Sequence, residues 1–254
     1  MKKLILLVVL SMIAVNGCAP LPMLVPPTPT SSPSPVPPTV TAEPVSAQPA
    51  VASAPMPVIV APFYFSEGTK ISVGDYSERL GTNELKELNT LEKEMAQHRD
   101  VLTPEQMFVL AIRLYDLGAK DMSLYWFYEA QFRAKLFLKT VDQSQLGTTG
   151  DPTPELLMDY NRFTESAGKF INGYAGCDVD NWMKIAGNVK DDNPTPPELD
   201  KLFPKVIFVE RSQWQSINDE VGAGLGGLID ALAKNKDAIR MQRVANNLDA
   251  LYCN

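Results

Sequence analysis

The stretch Thr103–Lys139, which reads TPEQMFVLAIRLYDLGAKDMSLYWFYEAQFRAKLFLK, carries the clearest helical pattern in the chain. Thr103 supplies a capping hydroxyl, and Gln106 stands three places later, where its side chain can bond back to the cap. Between them, Pro104 suits the first helical position. Apolar residues then recur at helical spacing as far as Gly118, a residue that suits the left-handed end of a helix. This pattern predicts a first helix that ends at a tight turn.

A second helix follows this turn almost at once, and Asp121 is placed to cap it. The helix is rich in aromatic and aliphatic residues: Leu124, Tyr125, Trp126, Phe127, Tyr128, Phe132, Leu136 and Phe137. Consecutive aromatic side chains point around a helix, so we expect some to be core and one or two of Tyr125, Trp126 and Tyr128 to form a recognition surface. The whole stretch therefore predicts an antiparallel helical hairpin.

The hairpin over 103–139 resembles a tetratricopeptide or Sel1-like repeat, in which small residues pack where the two helices cross. Ala111 matches the small position of the first helix, and Gly118 matches the turn. The small–aromatic–small spacing of the second helix is matched by Ser123, Phe127 and Ala130. Repeats need neighbours to bury their faces, and no second copy follows. The resemblance implies a protein-binding groove, and an ordinary helical hairpin inside a larger domain is the alternative.

Helical patterns extend on both sides of the hairpin. Upstream, apolar residues at steps of three and four predict a helix over 83–97. Downstream, we expect a helix over about 155–170 and a short helix capped by Asp178. Two further helices, over 211–233 and 236–251, complete the predicted set.

The pattern as a whole predicts an all-α fold. Only 205–209, KVIFV, is strand-like, and it is too short to distinguish from a buried turn. Residues 63–254 are long enough for a single helical domain with a substantial core. The formal net charge of the chain is −7, which argues against nucleic-acid binding because such an interface needs a basic face.

The first residues have the parts of an export signal. Met1-Lys2-Lys3 is cationic, and Leu4–Val15 is apolar apart from Ser11. As a helix, that run covers about 18 Å at 1.5 Å per residue, too little for a hydrocarbon core of about 30 Å. We therefore predict a signal peptide over residues 1–17 rather than a membrane-spanning helix.

Val15-Asn16-Gly17-Cys18 resembles the lipobox of bacterial lipoprotein signals, and it matches at Val15, Gly17 and Cys18. The resemblance implies cleavage before Cys18 and acylation of this residue, and two or more acyl chains anchor a protein stably. Ala19 in the next position implies, by the sorting of such lipoproteins, the outer membrane, facing the periplasm or the surface. An ordinary secretory signal with an incidental cysteine is the alternative.

The composition changes abruptly after the predicted lipidation site. Residues 20–62 hold fourteen of the twenty-one prolines and a single charged residue, Glu43. Proline removes backbone donors and fixes φ, so neither a helix nor a central strand can run through the segment. We predict that 18–62 is a disordered tether with a polyproline-II tendency, which holds the folded domain away from the membrane.

Cys177 and Cys253 are the only cysteines besides Cys18. An exported chain meets oxidising conditions, so we predict a disulfide between them, and two unpaired thiols are the alternative. The chain-entropy model gives such a closure a stabilisation of about 4 kcal/mol. The bond would tie the last predicted helix to the body of the domain.

Patterns typical of catalysis or metal binding are sparse. The single histidine, His98, excludes a multi-histidine zinc site, and its polar setting at a helix end favours a solvated or capping role over a triad. Gly222–Gly227 contains G-x-G-x-x-G without the strand that a dinucleotide site needs, so we expect small residues at a close helix crossing. Asp178 and Asp180 lack the further ligands of a calcium loop and indicate capping. We predict no catalytic residue, cofactor or metal.

Three functions remain open. The first is a protein-binding or scaffold module of the cell envelope, held on the membrane by its lipid anchor. The second is a carboxylate-based cell-wall hydrolase, for which Asp159, Glu165 and Asp178 are candidate acids and two of them must lie close together. The third is an immunity-type lipoprotein that neutralises a basic toxin, since the domain is acidic. We favour the first, a non-enzymatic role with an unidentified envelope protein as partner.

Overall fold

Helices make up most of the described chain. The computed structural model describes residues 59–60, 69–70, 73–147 and 150–253. The predicted signal peptide, Cys18 and the predicted tether up to residue 58 lie outside the described residues. Within the described ranges, no helix combines the length and the apolar character needed to cross a membrane.

Nine helices follow one another along the described ranges, most of them with short connections. They are α1 Ser77–Leu80, α2 Leu85–Gln97, α3 Pro104–Asp116, α4 Lys120–Thr140, α5 Thr153–Ala175, α6 Val179–Asp191, α7 Leu199–Leu202, α8 Trp214–Ala245 and α9 Leu248–Tyr252. Short 3-10 turns precede α1, α3 and α8, and another follows α4. The predicted all-α class is confirmed for the described residues.

One short β pair joins the end of the predicted tether to the segment that follows it. Strand β1, Ile59–Val60, pairs antiparallel with strand β2, Thr69–Lys70. Strand β1 falls within the range predicted as tether, 18–62, and strand β2 falls within the range predicted as domain, 63–254.

The strand-like run at 205–209 forms a single bridge rather than a strand. Phe208 pairs with Val141 just beyond the end of α4. The N–H of Val209 donates to the carbonyl of Thr140 at 2.8 Å, and the N–H of Asp142 donates to the carbonyl of Ile207 at 2.9 Å. The run therefore ties the connection before α8 to the end of α4.

The α3–α4 hairpin forms as predicted at its start and at its turn. The hydroxyl of Thr103 accepts from the backbone N–H of Gln106, whose side chain accepts from the N–H of Thr103. Gly118 has a φ of +86°, which glycine adopts without strain. Where the helices cross, the hydroxyl of buried Ser123 donates to the carbonyl of Ala111 at 2.7 Å. The two small residues allow this close contact between the helices.

The start of α4 differs from the prediction. The helix begins at Lys120, and its cap residue, Ala119, makes no side-chain capping bond. Asp121 lies in the first turn, where its carboxylate accepts hydrogen bonds from the Tyr174 hydroxyl and from the Asn181 side chain. The predicted capping role of Asp121 is therefore wrong, because residues of α5 and α6 supply its hydrogen-bond donors.

The core forms around α4, which is buried on nearly every side. Helices α3, α5, α6 and α8 all contact it. Trp126 and Tyr128 are only 1% and 2% exposed, and Tyr125 is half-buried. Trp126 and Tyr128 are therefore core residues and not part of a recognition surface, and Tyr125 is the one of the three that keeps partial exposure.

Helix α8 is continuous over 32 residues, where the sequence predicted two helices over 211–233 and 236–251. No proline or glycine falls near the predicted break, so nothing in the backbone ends the helix there. The break comes instead at Asn246 and Asn247, and Asn247 has a φ of +50°, a left-handed conformation that asparagine tolerates. After this turn α9 packs back onto α5 and α8.

The glycines of α8 do not mark a helix crossing. A Cβ added at Gly224, Gly226 or Gly227 would meet nothing within 4 Å, and one at Gly222 would reach only the side chain of Lys190 at 3.9 Å. The predicted close approach of a second helix is therefore wrong for Gly224, Gly226 and Gly227. The G-x-G-x-x-G run lies inside a regular helix, whose N–H groups are already used by backbone carbonyls rather than free for a phosphate.

Candidate functional site

A disulfide joins the start of α6 to the end of α9. Cys177 and Cys253 are bonded, with Cα atoms 5.8 Å apart and 76 positions between them in sequence. The predicted pairing is therefore present in the structure. The next residue, Asp178, caps α6 by accepting from the N–H groups of Asp180 and Asn181, as predicted. The bond thus fixes α9 beside the N-terminus of α6.

Arg243 connects the disulfide to two helices. Its side chain is buried, and its Nη2 lies 3.1 Å from Cys177 Sγ and 3.2 Å from Cys253 Sγ. Its Nη1 donates to the carbonyl of Gly173 at 2.8 Å, and its Nε donates to Asp249 at 2.7 Å. Sequence reasoning missed Arg243, because no local pattern distinguishes it from the other cations of α8.

Two glycines near the end of α5 make room for this arrangement. A Cβ at Gly173 would lie 2.6 Å from the ring of Tyr252, and a Cβ at Gly176 would collide with the guanidinium of Arg243. The ring of Tyr252 therefore rests directly on the backbone of α5. Helix α9 is held by this contact, by the disulfide and by the ion pair between Arg243 and Asp249.

A cleft of about 510 Å³ opens beside the disulfide, between the start of α6 and the second half of α8. Its walls include three acids and three cations: Asp178, Asp180, Asp249, Lys236, Arg240 and Arg243. We call this the α8 cleft. Asp180 pairs with Lys236 and Asp249 pairs with Arg243. Arg240 is exposed, and among the described residues it has no hydrogen-bond or ion-pair partner. Of the cations that line the cleft, Arg240 is therefore the one that no described residue pairs with, and a ligand could contact it.

One group in this region has metal-ligand atoms close together. Cys177, Asp249 and Cys253 each place a ligand atom within 4.8 Å of the others. Zinc and other soft cations bind cysteine as the thiolate. Because the two sulfurs are bonded to each other, they are not thiolates, and the guanidinium of Arg243 already contacts both. The oxidised protein does not offer a metal site here.

Three exposed apolar side chains lie on the last two helices. Met241 and Val244 on α8 are 68% and 72% exposed, and Leu251 on α9 is 68% exposed. Met241 and Val244 share one helical face because they are three positions apart, and Val244 also lines the cleft. We call Arg240, Met241, Val244 and Leu251 the C-terminal surface. An exposed apolar face at the edge of a polar cleft, as Met241 and Val244 form, is typical of a protein-contact site.

The three acids that a hydrolase would need are not brought together. Asp159 lies near the start of α5, and Asp178 lies just beyond its far end. At 1.5 Å per residue these positions are about 24 Å apart along the helix axis, beyond the 5 to 9.5 Å that paired glycosidase carboxylates require. Glu165, six positions after Asp159, is turned about 240° around α5 from it. The candidate acids therefore do not form one catalytic site.

Glu105, in the first turn of α3, is an acid that the sequence reasoning missed. It is 9% exposed, and burial raises its pKa, with a smaller contribution from the charge of Asp159. The pKa of Tyr160 is also raised, first by burial and then by Glu105. Glu105 Oε2, the Tyr160 hydroxyl and the Thr153 hydroxyl are buried without a hydrogen-bond partner among the described residues. This carboxyl is too enclosed to reach a polymeric substrate.

A buried charge cluster links α4 to the end of α6. Glu129 is fully buried and accepts from Arg133 Nε at 3.0 Å and from the side-chain amide of Asn193. Arg99 donates to the Tyr125 hydroxyl at 2.7 Å and also contacts Glu129. Both charges of the Glu129–Arg133 pair are therefore compensated inside the core, as burial requires. The cluster positions helices rather than presenting a surface.

His98 is exposed and is the residue at which α2 ends. Its backbone N–H donates to the carbonyl of Met95 at 3.1 Å. The predicted solvated or capping position is therefore the one that the structure shows.

Comparison with known proteins gives little to transfer. No family model matches the chain, and no solved structure matches it. An uncharacterized protein of Haemophilus influenzae is 28% identical over 135 residues, which is 52% of this chain and 50% of that protein. The chain thus spans about half the length of the curated relative that it matches. That relative carries no stated activity, so the similarity adds no function to the site.

Proposed function

We propose that this chain is a lipid-anchored protein of the bacterial cell envelope whose helical domain binds a partner protein through the C-terminal surface. The lipobox-like motif that ends at Cys18 supports the anchor. The proline-rich stretch after it supports a spacer between the membrane and the domain. A domain held away from lipid is suited to meeting another envelope protein.

The exposure of Met241, Val244 and Leu251 is the observation that carries the binding proposal. Each is about 70% exposed, although exposing apolar area to water costs about 25 cal/mol per Å². Arg240 beside them is an unpaired cation in the described chain. A partner that covers these apolar side chains gains free energy from their burial. A carboxylate of that partner placed against Arg240 adds an ion pair. The partner is therefore a protein with an apolar, acid-rimmed contact face.

A photo-crosslinking amino acid at position 244 tests this proposal in cells that carry the full-length chain. Val101, on the turn before α3, is 65% exposed and gives a matched control position. We expect one envelope protein to be captured from position 244 and not from position 101. Capture of the same proteins from both positions contradicts the proposal.

Purified components then complete the test. The captured protein is purified and titrated with the full-length chain. We expect Val244→Asp and Arg240→Glu each to weaken the dissociation constant at least about tenfold, a loss of about 1.4 kcal/mol. Val101→Asp leaves the constant unchanged. Unaltered binding by both Val244→Asp and Arg240→Glu shows that the partner does not contact the C-terminal surface.

A further inference from the structure

We infer that Cys177 and Cys253 form a thiol–disulfide exchange site, at which an external dithiol reductant opens the bond in the folded protein. The exchange site is independent of the proposed partner surface, because its chemistry requires only the two sulfurs and Arg243. Three observations carry the inference: the access to the bond, the guanidinium on both sulfurs, and the asymmetry between the two cysteines.

Access to the bond is open from the solvent. Cys253 is exposed and Cys177 is half-buried, and Cys177 also lines the α8 cleft. Exchange proceeds by attack of a thiolate on a disulfide sulfur, so its rate depends on this access. An external thiolate could not reach a disulfide buried in the core, whereas the exposed residue Cys253 is accessible to it.

The guanidinium of Arg243 favours the reduced form of the pair. Its Nη2 lies 3.1 Å and 3.2 Å from the two sulfurs, and its side chain is only 7% exposed. The sulfurs of a disulfide are neutral and gain little from a nearby cation, whereas a thiolate beside an arginine is stabilised. Because the guanidinium is also held by Gly173 and Asp249, it stays in place when the bond opens.

The two cysteines have different surroundings, and this assigns their roles. Cys253 is the more exposed residue, and its Sγ lies 3.6 Å from the carboxylate of Asp249, which disfavours negative charge on it. Cys177 Sγ also lies within 4.8 Å of that carboxylate, but it adjoins the N-terminus of α6, where negative charge is favoured. Cys253 is therefore the sulfur attacked, and Cys177 is the leaving thiolate.

The exchange balances in two steps. A thiolate of the reductant attacks Cys253 Sγ, a mixed disulfide forms, the original S–S bond breaks, and its electron pair stays on Cys177 Sγ beside Arg243. The second thiol of the reductant loses its proton. The resulting thiolate attacks the reductant's first sulfur, which is bonded to Cys253 Sγ in the mixed disulfide, and this releases Cys253 as a thiolate. The protein gains two electrons and, on protonation, two protons, and the reductant leaves as its disulfide. Helix α9 then keeps its noncovalent contacts, among them those of Tyr252 and Asp249.

The charge effect is measured by alkylation. In full-length Cys253→Ser protein, the rate of Cys177 alkylation by iodoacetamide is followed against pH. We expect a midpoint below about 7.5, compared with about 8.5 for an unperturbed thiol. Arg243→Met in the same background raises the midpoint by about one pH unit. Arg243→Lys, which keeps a positive charge, brings the midpoint most of the way back to the value with Arg243. Arg240→Met, which removes the neighbouring cation of the cleft, leaves the midpoint unchanged. An ordinary midpoint, or one that Arg243→Met does not move, overturns the inference.

The assignment of roles is tested with the wild-type disulfide and glutathione under native conditions. The mixed disulfide is trapped by acid and mapped by mass spectrometry, while circular dichroism monitors the fold. We expect glutathione on Cys253. Glutathione on Cys177 reverses the assignment. No exchange before global unfolding shows a purely structural bond and rejects the site.

Discussion

At the scale of single residues, burial decides what an ionisable group does. Glu105 reads in the sequence as an ordinary first-turn acid, a position that favours negative charge near the N-terminus of a helix. In the structure it is enclosed beside Tyr160, and loss of solvent raises its pKa above the usual value of 4.5. Folding therefore disfavours its ionised form.

Glu105→Gln tests this consequence through the pH dependence of stability. The folded pKa exceeds the unfolded pKa, so the folded state binds more protons above about pH 4.5, and the free energy of unfolding falls as pH rises toward the folded pKa. Each unit of pKa difference corresponds to about 1.4 kcal/mol. We expect the gain from Glu105→Gln to be small at pH 4 and to grow toward pH 7.

Urea unfolding at a series of pH values makes this measurement. Glu165→Gln, on the exposed face of α5, is the matched control for replacing a carboxyl by an amide. A Glu105→Gln difference that shrinks as pH rises would show that the carboxylate is stabilised by folding, contrary to the expectation.

At the scale of elements, α8 shows how a long helix tolerates residues that weaken it. Three of its glycines, Gly224, Gly226 and Gly227, have open space around the missing Cβ. Glycine inside a helix loses more conformational entropy than alanine on folding. The helix is nevertheless continuous, and it packs against α4 and α6.

Alanine at Gly224 or Gly227 is therefore expected to stabilise the protein by about 0.5 to 1 kcal/mol each. Gly173→Ala is the opposite case, because its Cβ would lie 2.6 Å from the ring of Tyr252. We expect Gly173→Ala to destabilise the protein and to loosen α9. Thermal unfolding of the three variants separates the two cases, and a loss of stability in the α8 variants would indicate an unrecognised need for glycine there.

At the scale of the whole molecule, the disulfide and the predicted anchor act at opposite ends of the chain. The bond between Cys177 and Cys253 spans 76 positions. Its removal by Cys177→Ser together with Cys253→Ser is expected to cost about 2 to 5 kcal/mol. Denaturant midpoints of the oxidised wild type and the double variant measure the loss, and equal midpoints would contradict a stabilising bond.

Cys18→Ser tests the anchor. We expect the wild-type chain to incorporate labelled palmitate and to fractionate with membranes, because two or more acyl chains hold a protein stably. The variant is expected to incorporate no label and to leave the membrane fraction. Cys177→Ser, which retains Cys18, keeps both properties. A Cys18→Ser chain that still carries the label places the acylation elsewhere.

Features built from neighbouring residues were predictable from the sequence, whereas features that join distant segments were not. The capping box at Thr103, the turn at Gly118 and the cap at Asp178 were predictable because each uses atoms only a few positions apart. The capping role of Asp121 was not, since its partners lie 53 and 60 positions away. The candidate site divides in the same way: the cysteine pair followed from residue counting, whereas Arg243 on both sulfurs needed the fold.

The all-α class, the central hairpin and the pairing of Cys177 with Cys253 were predictable from the amino-acid sequence, because periodicity, local caps and a two-cysteine count need no tertiary information. Helix packing set which aromatic residues are covered, where α8 ends, and which cation contacts the disulfide. Those outcomes depend on contacts between residues distant in the chain, and the energy of each contact exists only once the helices have packed.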